Sequence, residues 1–199
     1  MLTLYLLFGH GDDSLNAFVI EVEVVVFGDL LPFKLRFKLL HSHNKSNIIL
    51  ICVPTPVSKD HKPDLSSLLS AVVSVAENLQ YGSTVIIEST VEPGTTRDII
   101  LPLLKKNSGL TEKDFYLAFS PERIDPMNKD WKVENTPKII AGINQKSLDK
   151  AYEFYSTFIS NLYRCESLEV AETAKLLENS FRLVNISLVN ELSKFCSAI

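Results

Sequence analysis

The stretch IILICVPTP, residues 48–56, decides the fold that the sequence predicts. Residues 48–53 form a short and continuous apolar run, which is the pattern of a strand buried on both faces of a sheet. Pro54, Thr55 and Pro56 end that strand, because proline lacks the backbone N–H that a sheet ladder requires. The run therefore predicts an inner strand of a parallel sheet, with a turn at its carboxyl end.

The segments that follow alternate between helix and strand. Asp64 is a suitable N-cap for a helix with apolar positions from Leu65 to Leu79, and Gly82 suits its C-terminal end. A second helix begins at Thr95 or Thr96, and we expect Pro102 to bend or shorten it. Further strands are predicted at residues 84–87, 115–119 and 137–141, and helices at residues 145–159 and 168–196. This order is typical of a parallel sheet with helical crossovers, an α/β fold.

The long terminal helix contains AETAKLLENSFRLVNISLVNEL, residues 171–192. Lys175, Asn179 and Arg182 recur at positions i, i+4 and i+7, so they share one helical face. A cation, an amide and a guanidinium in a row suit a phosphorylated or carbonyl-bearing ligand, although a solvated polar face is the alternative. The opposite face is apolar, and we expect it to pack on a core; it comprises Leu177, Phe181, Val184, Leu188 and Leu192.

Polar residues cluster where the predicted strands end. Ligands of parallel sheets bind beyond the carboxyl ends of the strands, so this clustering predicts a site at that edge. Each residue also has a structural alternative: a turn for Thr55, a helix cap for Thr95 or Thr96, and a solvated ion pair for Glu122 and Arg123. The free N–H groups at a helix start near Thr96 would favour phosphate. The candidates are Thr55, Thr90, Thr96, Glu122 and Arg123.

Composition narrows the class of protein. The 199 residues carry a net charge of -4, so no overall positive field recruits nucleic acid. Cys52, Cys165 and Cys196 are widely spaced and predict neither a disulfide framework nor a metal site, which favours a reducing cytoplasm. The histidines lack ligand spacing. No apolar run reaches the roughly 20 residues that span a membrane, and no signal peptide is recognisable.

Six motifs together resemble the UDP-glucose/GDP-mannose dehydrogenase family, and most closely its branch acting on UDP-N-acetylhexosamines such as UDP-N-acetylmannosamine. They occur in family order over roughly residues 47–197, and six in order are far more specific than any one alone. The motifs are VPTP (53–56), KPDLS (62–66), ESTVEPGTT (88–96), FSPERIDP (119–126), ENTPKII (134–140) and the AETAKLLEN helix.

The resemblance implies a fold and a reaction. The fold would be part of a Rossmann-like parallel sheet, followed by a long helix of an all-α central domain through which family members dimerise. Such enzymes oxidise the C6 hydroxymethyl of a UDP-sugar to a carboxylate with two NAD+, for polysaccharide biosynthesis. A cysteine traps the aldehyde as a thiohemiacetal, which becomes a thioester that water cleaves.

The resemblance also implies roles for individual residues. Lys175 would stabilise oxyanion character at C6 as the catalytic residue. Thr55 and Thr96 would contact NAD, and Thr90 would lie near the reacting centre on the cofactor side. The substrate would be bound by Glu122, Arg123, Ile124, Lys175, Asn179 and Arg182, with the part of Glu122 least defined.

Two parts of the family pattern are missing from this sequence. The glycine-rich GxGxxG turn has only Gly9-His10-Gly11 as a counterpart, with Ser14 in place of the third glycine. The GGxC segment that carries the nucleophilic cysteine is absent. We therefore expect a truncated chain of three parts: an atypical N-terminal segment (1–46), the C-terminal half of an NAD-binding domain (47–143) and the start of a central helical domain (144–199).

Three functional hypotheses remain open from the sequence. The first is a nucleotide-sugar 6-dehydrogenase fragment, whose own activity is in question without the glycine turn and the thiol. The second is a non-catalytic remnant that serves as a dimerisation module through its terminal helix. The third is a two-domain hydroxy-acid dehydrogenase, against which the FSPERIDP loop argues.

Overall fold

The structure is a computed structural model that describes residues 17–20, 22–23, 36–37, 48–123 and 135–199. The candidates Ile124 and Gly9-His10-Gly11 lie outside the described residues. In the N-terminal segment three strands are described: β1 (Ala17–Ile20), β2 (Val22–Glu23) and β3 (Arg36–Phe37). The last two pair antiparallel.

A six-stranded sheet forms the centre of the described structure. Its strands lie in the order β1, β4, β5, β6, β7, β8. The five strands after β3 are β4 (Ile48–Ile51), β5 (Thr84–Ile87), β6 (Tyr116–Phe119), β7 (Lys138–Gly142) and β8 (Leu162–Arg164). The first four strands in that order are mutually parallel, as predicted from the buried apolar runs.

The fourth predicted strand, β7, runs antiparallel to β6, whereas β8 is parallel to β7. In the register of β6 and β7, Phe119 lies opposite Ala141. Lys138, three residues before Ala141, therefore lies beyond the carboxyl end of β6, at the level of Glu122. The reversal of direction brings the first residue of β7 to the edge where the sequence predicts the site.

Four α-helices and one π-helical segment are described. They are α1 (Ser66–Ala76), the π-helical segment (Thr95–Ile100), α2 (Leu101–Ser108), α3 (Gln145–Ser156) and α4 (Leu168–Ala198). Pro102, which we expect to bend or shorten the second helix, lies in the first turn of α2, directly after the π-helical segment, so the change from π-helix to α-helix occurs beside it. Gly82, predicted to end α1, lies five residues beyond Glu77, which caps that helix.

The two faces of the sheet are covered by different helices. On one face, residues such as Ile51, Ile87 and Phe119 pack against α1, α2 and the first turn of α4. On the other face, Leu50, Ile86 and Ala118 pack against α3. Alternate residues of one strand thus enter opposite cores, which is why the strands read as continuous apolar runs.

The packing of α3 bears on the boundary that the sequence predicts after residue 143. That boundary separates α3 from the sheet, but Ala151, Phe154 and Tyr155 of α3 are buried against Leu50 and the strands beside it. The strand β8, which the sequence analysis missed, extends the same sheet. The helix and the strand belong with the sheet because their apolar side chains have their contacts there.

The terminal helix α4 contacts the sheet only through its first turns. The Ser167 side chain caps it by accepting a hydrogen bond from the Val170 backbone nitrogen at 3.2 Å. Leu168 and Ala171 are buried. Within the described residues, every side chain after Glu178 is exposed. The prediction that the apolar face of this helix packs on a core is therefore wrong for this chain; Phe181 is 70% exposed.

None of the helices in the described part of the chain combines the length and the apolarity that crossing a membrane requires.

Candidate active site

A buried ion pair lies at the carboxyl edge of the sheet. Glu88 directly follows β5, and its Oε1 lies 2.8 Å from Nζ of Lys138, with side chains only 3% and 8% exposed. Tyr155 of α3 donates its hydroxyl hydrogen bond to the same carboxylate oxygen. The thiol of Cys52 donates to Glu88 Oε2 at 3.1 Å. The Glu88 carboxylate thus has three partners, as a buried charge requires.

The burial of this ion pair and of the groups beside it shifts the pKa values of all four side chains. Burial raises the pKa of Glu88, but the ammonium of Lys138 and the hydrogen bonds from Lys138, Tyr155 and Cys52 together lower it by more, so the pKa lies below its ordinary value. Burial lowers the pKa of Lys138, and the Glu88 carboxylate raises it above the ordinary value. Burial, followed by the charge of Glu88, holds the pKa of Cys52 and that of Tyr155 well above their usual ranges. Cys52 is therefore a neutral thiol and not a nucleophile.

The same pair fixes the loop that follows β6. Lys138 Nζ donates to the carbonyl oxygen of Pro121 at 3.4 Å. The backbone nitrogen of Glu122 donates to the Glu88 carbonyl oxygen at 3.4 Å, and Glu122 Oε1 accepts from the Arg123 backbone nitrogen at 2.6 Å. Ser120 donates its hydroxyl hydrogen bond to the Ile139 carbonyl oxygen at 2.9 Å. Glu122 and Arg123, both predicted site residues, thus have their backbone held at the carboxyl end of β6.

Two of the predicted cofactor threonines are in contact. The hydroxyl of Thr55 donates to the Thr90 carbonyl oxygen at 2.7 Å, which joins the loops after β4 and β5. Ser89 strengthens the connection, since its hydroxyl accepts from the Val53 nitrogen at 2.9 Å and donates to the Val53 carbonyl at 2.8 Å. The predicted proximity of Thr55 and Thr90 thus follows from adjacent parallel strands ending at one edge.

The third predicted threonine, Thr96, is fully buried at the start of the π-helical segment. Its hydroxyl oxygen has no hydrogen-bond partner among the described residues. The backbone N–H groups at this helix start are not free, in contrast to the expectation from the sequence. Glu172 of α4 accepts from the Gly94 nitrogen at 2.6 Å and from the Thr96 nitrogen at 3.0 Å. A carboxylate of the protein occupies the position expected to favour a phosphate.

Lys175 lies one turn after Glu172 on α4, with its side chain 13% exposed. Its Nζ is 3.5 Å from Glu178 Oε2. The other oxygen of Glu178 accepts from Arg123 Nη2 at 3.0 Å. Burial raises the pKa of Glu178, but Arg123 and Lys175 lower it by more. Glu178 therefore joins two predicted site cations that are 52 residues apart in sequence.

The remaining predicted substrate residues are less enclosed. Asn179 and Arg182 are exposed on α4. Arg123 is 33% exposed at its side chain, and its Nε is a buried atom that has no hydrogen-bond partner within the described residues. The structure thus brings Arg123 and Lys175 together, and Asn179 and Arg182 extend away from them along the helix.

Sequence reasoning assigned no role to four residues that shape this edge: Glu88, Lys138, Tyr155 and Glu172. The position of Glu88, immediately after an apolar strand, was a usable signal. Nothing local marks Lys138 as its partner, 50 residues later. In the described ranges, no three histidine, cysteine, aspartate or glutamate side chains are grouped closely enough to hold a metal ion.

Comparison with known protein families gives two matches. Residues 23–159 match the NAD binding domain of the UDP-glucose/GDP-mannose dehydrogenase family. Residues 169–199 match the central domain of the same family. The first match begins inside the segment that the sequence analysis sets apart as atypical, and it includes α3, in agreement with the packing of that helix.

Relatives of known identity are similar over most of the chain. UDP-N-acetyl-D-glucosamine 6-dehydrogenase from Salmonella typhi is 42% identical over 149 residues, 74% of this chain and 35% of the relative. The protein of that name from Pseudomonas aeruginosa is 35% identical over 176 residues, 87% of this chain and 42% of the relative. The chain thus spans well under half the length of these relatives.

Solved structures agree with the sequence matches. UDP-D-ManNAc dehydrogenase from Pyrococcus horikoshii superimposes with a TM-score of 0.69 at 42% identity, covering 74% of this chain and 35% of that one. The first family match alone covers more than half of the residues, and the order of the motifs agrees with it. The chain therefore belongs to the UDP-glucose/GDP-mannose dehydrogenase family.

Proposed function

We propose that this chain contributes the cofactor and lysine side of an NAD-dependent dehydrogenase that oxidises C6 of a UDP-N-acetylhexosamine to the uronate, for polysaccharide biosynthesis. The observation that carries the proposal is the location of Lys175. This lysine is largely enclosed beside Arg123, on a helix whose first turns dock on the loop after β5. The names of the relatives support the substrate class.

The cofactor contacts are proposed for Thr55, Thr90 and Thr96. The buried Thr96 hydroxyl has a free hydrogen-bonding capacity that fits a polar group of NAD. The helix start itself fits a phosphate poorly, because the Glu172 carboxylate would repel it. The pyrophosphate contacts therefore belong elsewhere than at this turn. When bound, NAD supplies a hydride acceptor.

Lys175 is proposed as the catalytic group of this part of the site. An ammonium that is largely removed from water stabilises negative charge as it develops on a C6 oxygen. Arg123 presents a planar fork suited to carbonyl or phosphate oxygens of the sugar nucleotide, and its unpartnered Nε adds a donor. Glu122, Ile124, Asn179 and Arg182 complete the proposed substrate contacts.

Thermal unfolding with NAD tests the cofactor part of the proposal. A ligand at a hundred times its dissociation constant stabilises the folded state by about 2.7 kcal/mol, so we expect a rise in the unfolding temperature at millimolar NAD. Thr96→Val removes the free hydroxyl and should reduce the rise, whereas Thr157→Val, a matched change at the end of α3, should not. No rise for the unaltered chain would favour the non-catalytic alternative.

The catalytic part is tested with Lys175→Met. Removal of a group that acts only on the transition state lowers kcat and kcat/KM equally, and we expect a loss of at least a hundredfold. An unchanged kcat would exclude Lys175 from the chemistry. If the unaltered chain shows no turnover with NAD and UDP-N-acetylhexosamine, this chain does not have the enzymatic activity proposed here.

The alternative function is a dimerisation module, and the exposed apolar face of α4 favours it. Leu177, Phe181 and Val184 are each at least 66% exposed, and such a continuous apolar face is typical of a helix that packs on another helix. We propose a second copy of this chain as the partner. Phe181→Glu should convert a concentration-dependent dimer to a monomer in sedimentation, whereas Asn190→Glu on the opposite side should not.

A reducing compartment, the cytoplasm, is proposed for the protein. Support comes from the three cysteines, which are all free thiols.

A further inference from the structure

One contact joins the terminal helix to the loop after β5 across a long sequence separation. Glu172 is fully buried, and its two carboxylate oxygens accept from the backbone nitrogens of Gly94 and Thr96 at 2.6 and 3.0 Å. The residues are 78 and 76 positions apart in the chain. Both N–H groups belong to the start of a helical segment, where no intrahelical acceptor exists for them.

Charge and backbone geometry both favour this contact. A helix start carries partial positive charge, and hydrogen bonds from backbone N–H groups to a carboxylate are stronger than those between neutral groups. Gly94 has a φ of 93°, and a Cβ at this position would lie 2.9 Å from Oδ2 of Asp98. Glycine at position 94 therefore permits the form of the turn in which the N–H groups point at Glu172, a form that other residues rarely adopt.

The position of Lys175 depends on this contact. Glu172 and Lys175 are three residues apart and thus neighbours on one helical face. Leu168, one turn before Glu172, and Ala171, which directly precedes it, are buried, whereas the residues after Glu178 are exposed. Glu172 is the last fully buried side chain of α4 before the helix leaves the sheet.

We propose that Glu172 is a positioning residue for Lys175, which it ties to the loop that carries Thr96. The inference rests on the proposed function in one respect, the role of Lys175 in turnover. Its structural content is independent of that function: the lysine stays enclosed only while the Glu172 carboxylate holds α4 on the turn.

Glu169 provides a matched control. It lies on the same helix, three residues earlier, and its Oε1 is 2.6 Å from Arg97 Nε on the same π-helical segment. Its side chain is 37% exposed and that of Arg97 is 41% exposed, so water screens the attraction between the two charges. Exposed pairs contribute little to stability, and Glu169→Gln should leave α4 in place.

Competitive acylation of lysines, read by mass spectrometry, tests the proposal without any need for turnover. In the unaltered chain Lys175 should react more slowly than Lys194, which is 74% exposed on the same helix. In Glu172→Gln the rate at Lys175 should rise by about three- to tenfold, as local opening of the helix start exposes it. Lys194 and Lys150, an exposed lysine of α3, should keep their acylation rates in Glu172→Gln. Glu169→Gln should leave the acylation rates of all three lysines unchanged.

Two results would overturn the proposal. An unchanged rate at Lys175 in Glu172→Gln means that the carboxylate does not hold the lysine. A parallel rise at Lys175, Lys150 and Lys194 means that Glu172 supports the fold as a whole and has no specific effect on Lys175.

Amide hydrogen exchange of the unaltered chain keeps the proposal testable if Glu172→Gln does not fold. The Thr96 amide should exchange as slowly as the amides of the π-helical segment that follows, because its N–H is bound by Glu172. Exchange at the rate of an unbonded amide would overturn the proposal. If the acylation rates and the Thr96 amide exchange are as expected but the chain shows no NAD binding or no turnover, the proposed function fails and the positioning of Lys175 by Glu172 stands.

Discussion

Replacement of Lys138 by methionine is the sharpest test of how the carboxyl edge of the sheet is held together. Methionine keeps most of the side-chain length and removes the ammonium. Among the described residues, the Glu88 carboxylate would then keep only the Tyr155 hydroxyl and the Cys52 thiol as side-chain donors while it remains buried. The variant also loses the hydrogen bond to the Pro121 carbonyl and the contact of Nζ with the Tyr155 ring, 5.0 Å from its centroid.

The expected cost follows from the burial of both side chains. At 3% and 8% exposure, water cannot replace the lost partner. Removal of one member of a buried ion pair destabilises a protein by about 3–5 kcal/mol, because the other charge stays uncompensated. For a chain of this size, about 2–4 °C of unfolding temperature corresponds to 1 kcal/mol, so we expect a fall of roughly 6–20 °C.

A double-mutant cycle separates the pair from its surroundings. Unfolding in urea, followed by circular dichroism, gives the free energy for Lys138→Met, Glu88→Gln and the double variant. The double variant should lose less than the sum of the single losses, with a coupling of about 1–3 kcal/mol. Lys150→Met is the control, since Lys150 pairs with Glu153 at 2.9 Å on the exposed surface and should cost less than about 0.5 kcal/mol.

The dependence on pH has a definite sign. The folded pKa of Glu88 is depressed below its ordinary 4.5, so the stability that this group contributes is present above pH 4.5 and is lost as pH falls through the folded pKa. The pKa of Lys138 in the folded protein is raised above 10.5. The stability that this group contributes is therefore present below pH 10.5 and is lost as pH rises through the folded pKa. In Lys138→Met, burial still raises the pKa of Glu88 while only the hydrogen bonds from Tyr155 and Cys52 remain to lower it, so the deficit in stability relative to the unaltered chain should narrow in acid.

Two outcomes would refute this reasoning. If Lys138→Met costs no more than Lys150→Met, the buried pair does not hold the edge. If the two single losses add without coupling, the contact at 2.8 Å contributes nothing that depends on both partners.

Three further predictions concern single groups. Iodoacetamide should label exposed Cys196 well before Cys52 in the folded protein, as followed by mass spectrometry, because burial raises the pKa of the Cys52 thiol. The Arg97 guanidinium lowers the pKa of Glu169 to about 2, so an NMR titration should find that pKa returning toward 4.5 in Arg97→Gln. Gly142→Ala should destabilise the fold by more than about 2 kcal/mol in urea unfolding, since the added Cβ would lie 2.3 Å from a backbone nitrogen of α3.

The inner strands were predictable because their residues are buried on both faces. The runs at residues 48–51, 84–87 and 116–119 are nearly all apolar, and helical segments separate them. The edge strand β8 gave no such signal, since it has three residues and Tyr163 and Arg164 are exposed. A strand of three residues at the edge of a sheet is too short to show the alternation of buried and exposed residues by which a strand is recognised.

Of the predicted site residues, Thr55, Thr90, Glu122 and Arg123 lie at the predicted edge, but the groups that hold the edge were not predictable from local pattern. Glu172 reads as one polar residue on an amphipathic helix, and in most helices such a residue is solvated. Its burial depends on a turn 76 residues earlier whose N–H groups require an acceptor. Lys138 likewise reads as a charge at the start of a strand. Only the antiparallel direction of β7 brings it to Glu88.

The two buried carboxylates account for most of the buried donors at the edge and leave two buried polar atoms without a partner. Glu88 accepts from a lysine, a tyrosine and a thiol, and Glu172 accepts from two backbone N–H groups. Both are then satisfied, as burial demands. The Thr96 hydroxyl and Arg123 Nε are the buried side-chain polar atoms of the described residues that this arrangement leaves without partners. An unmade buried hydrogen bond costs about 1–3 kcal/mol, so each of these two atoms lowers the stability of the fold while it has no partner.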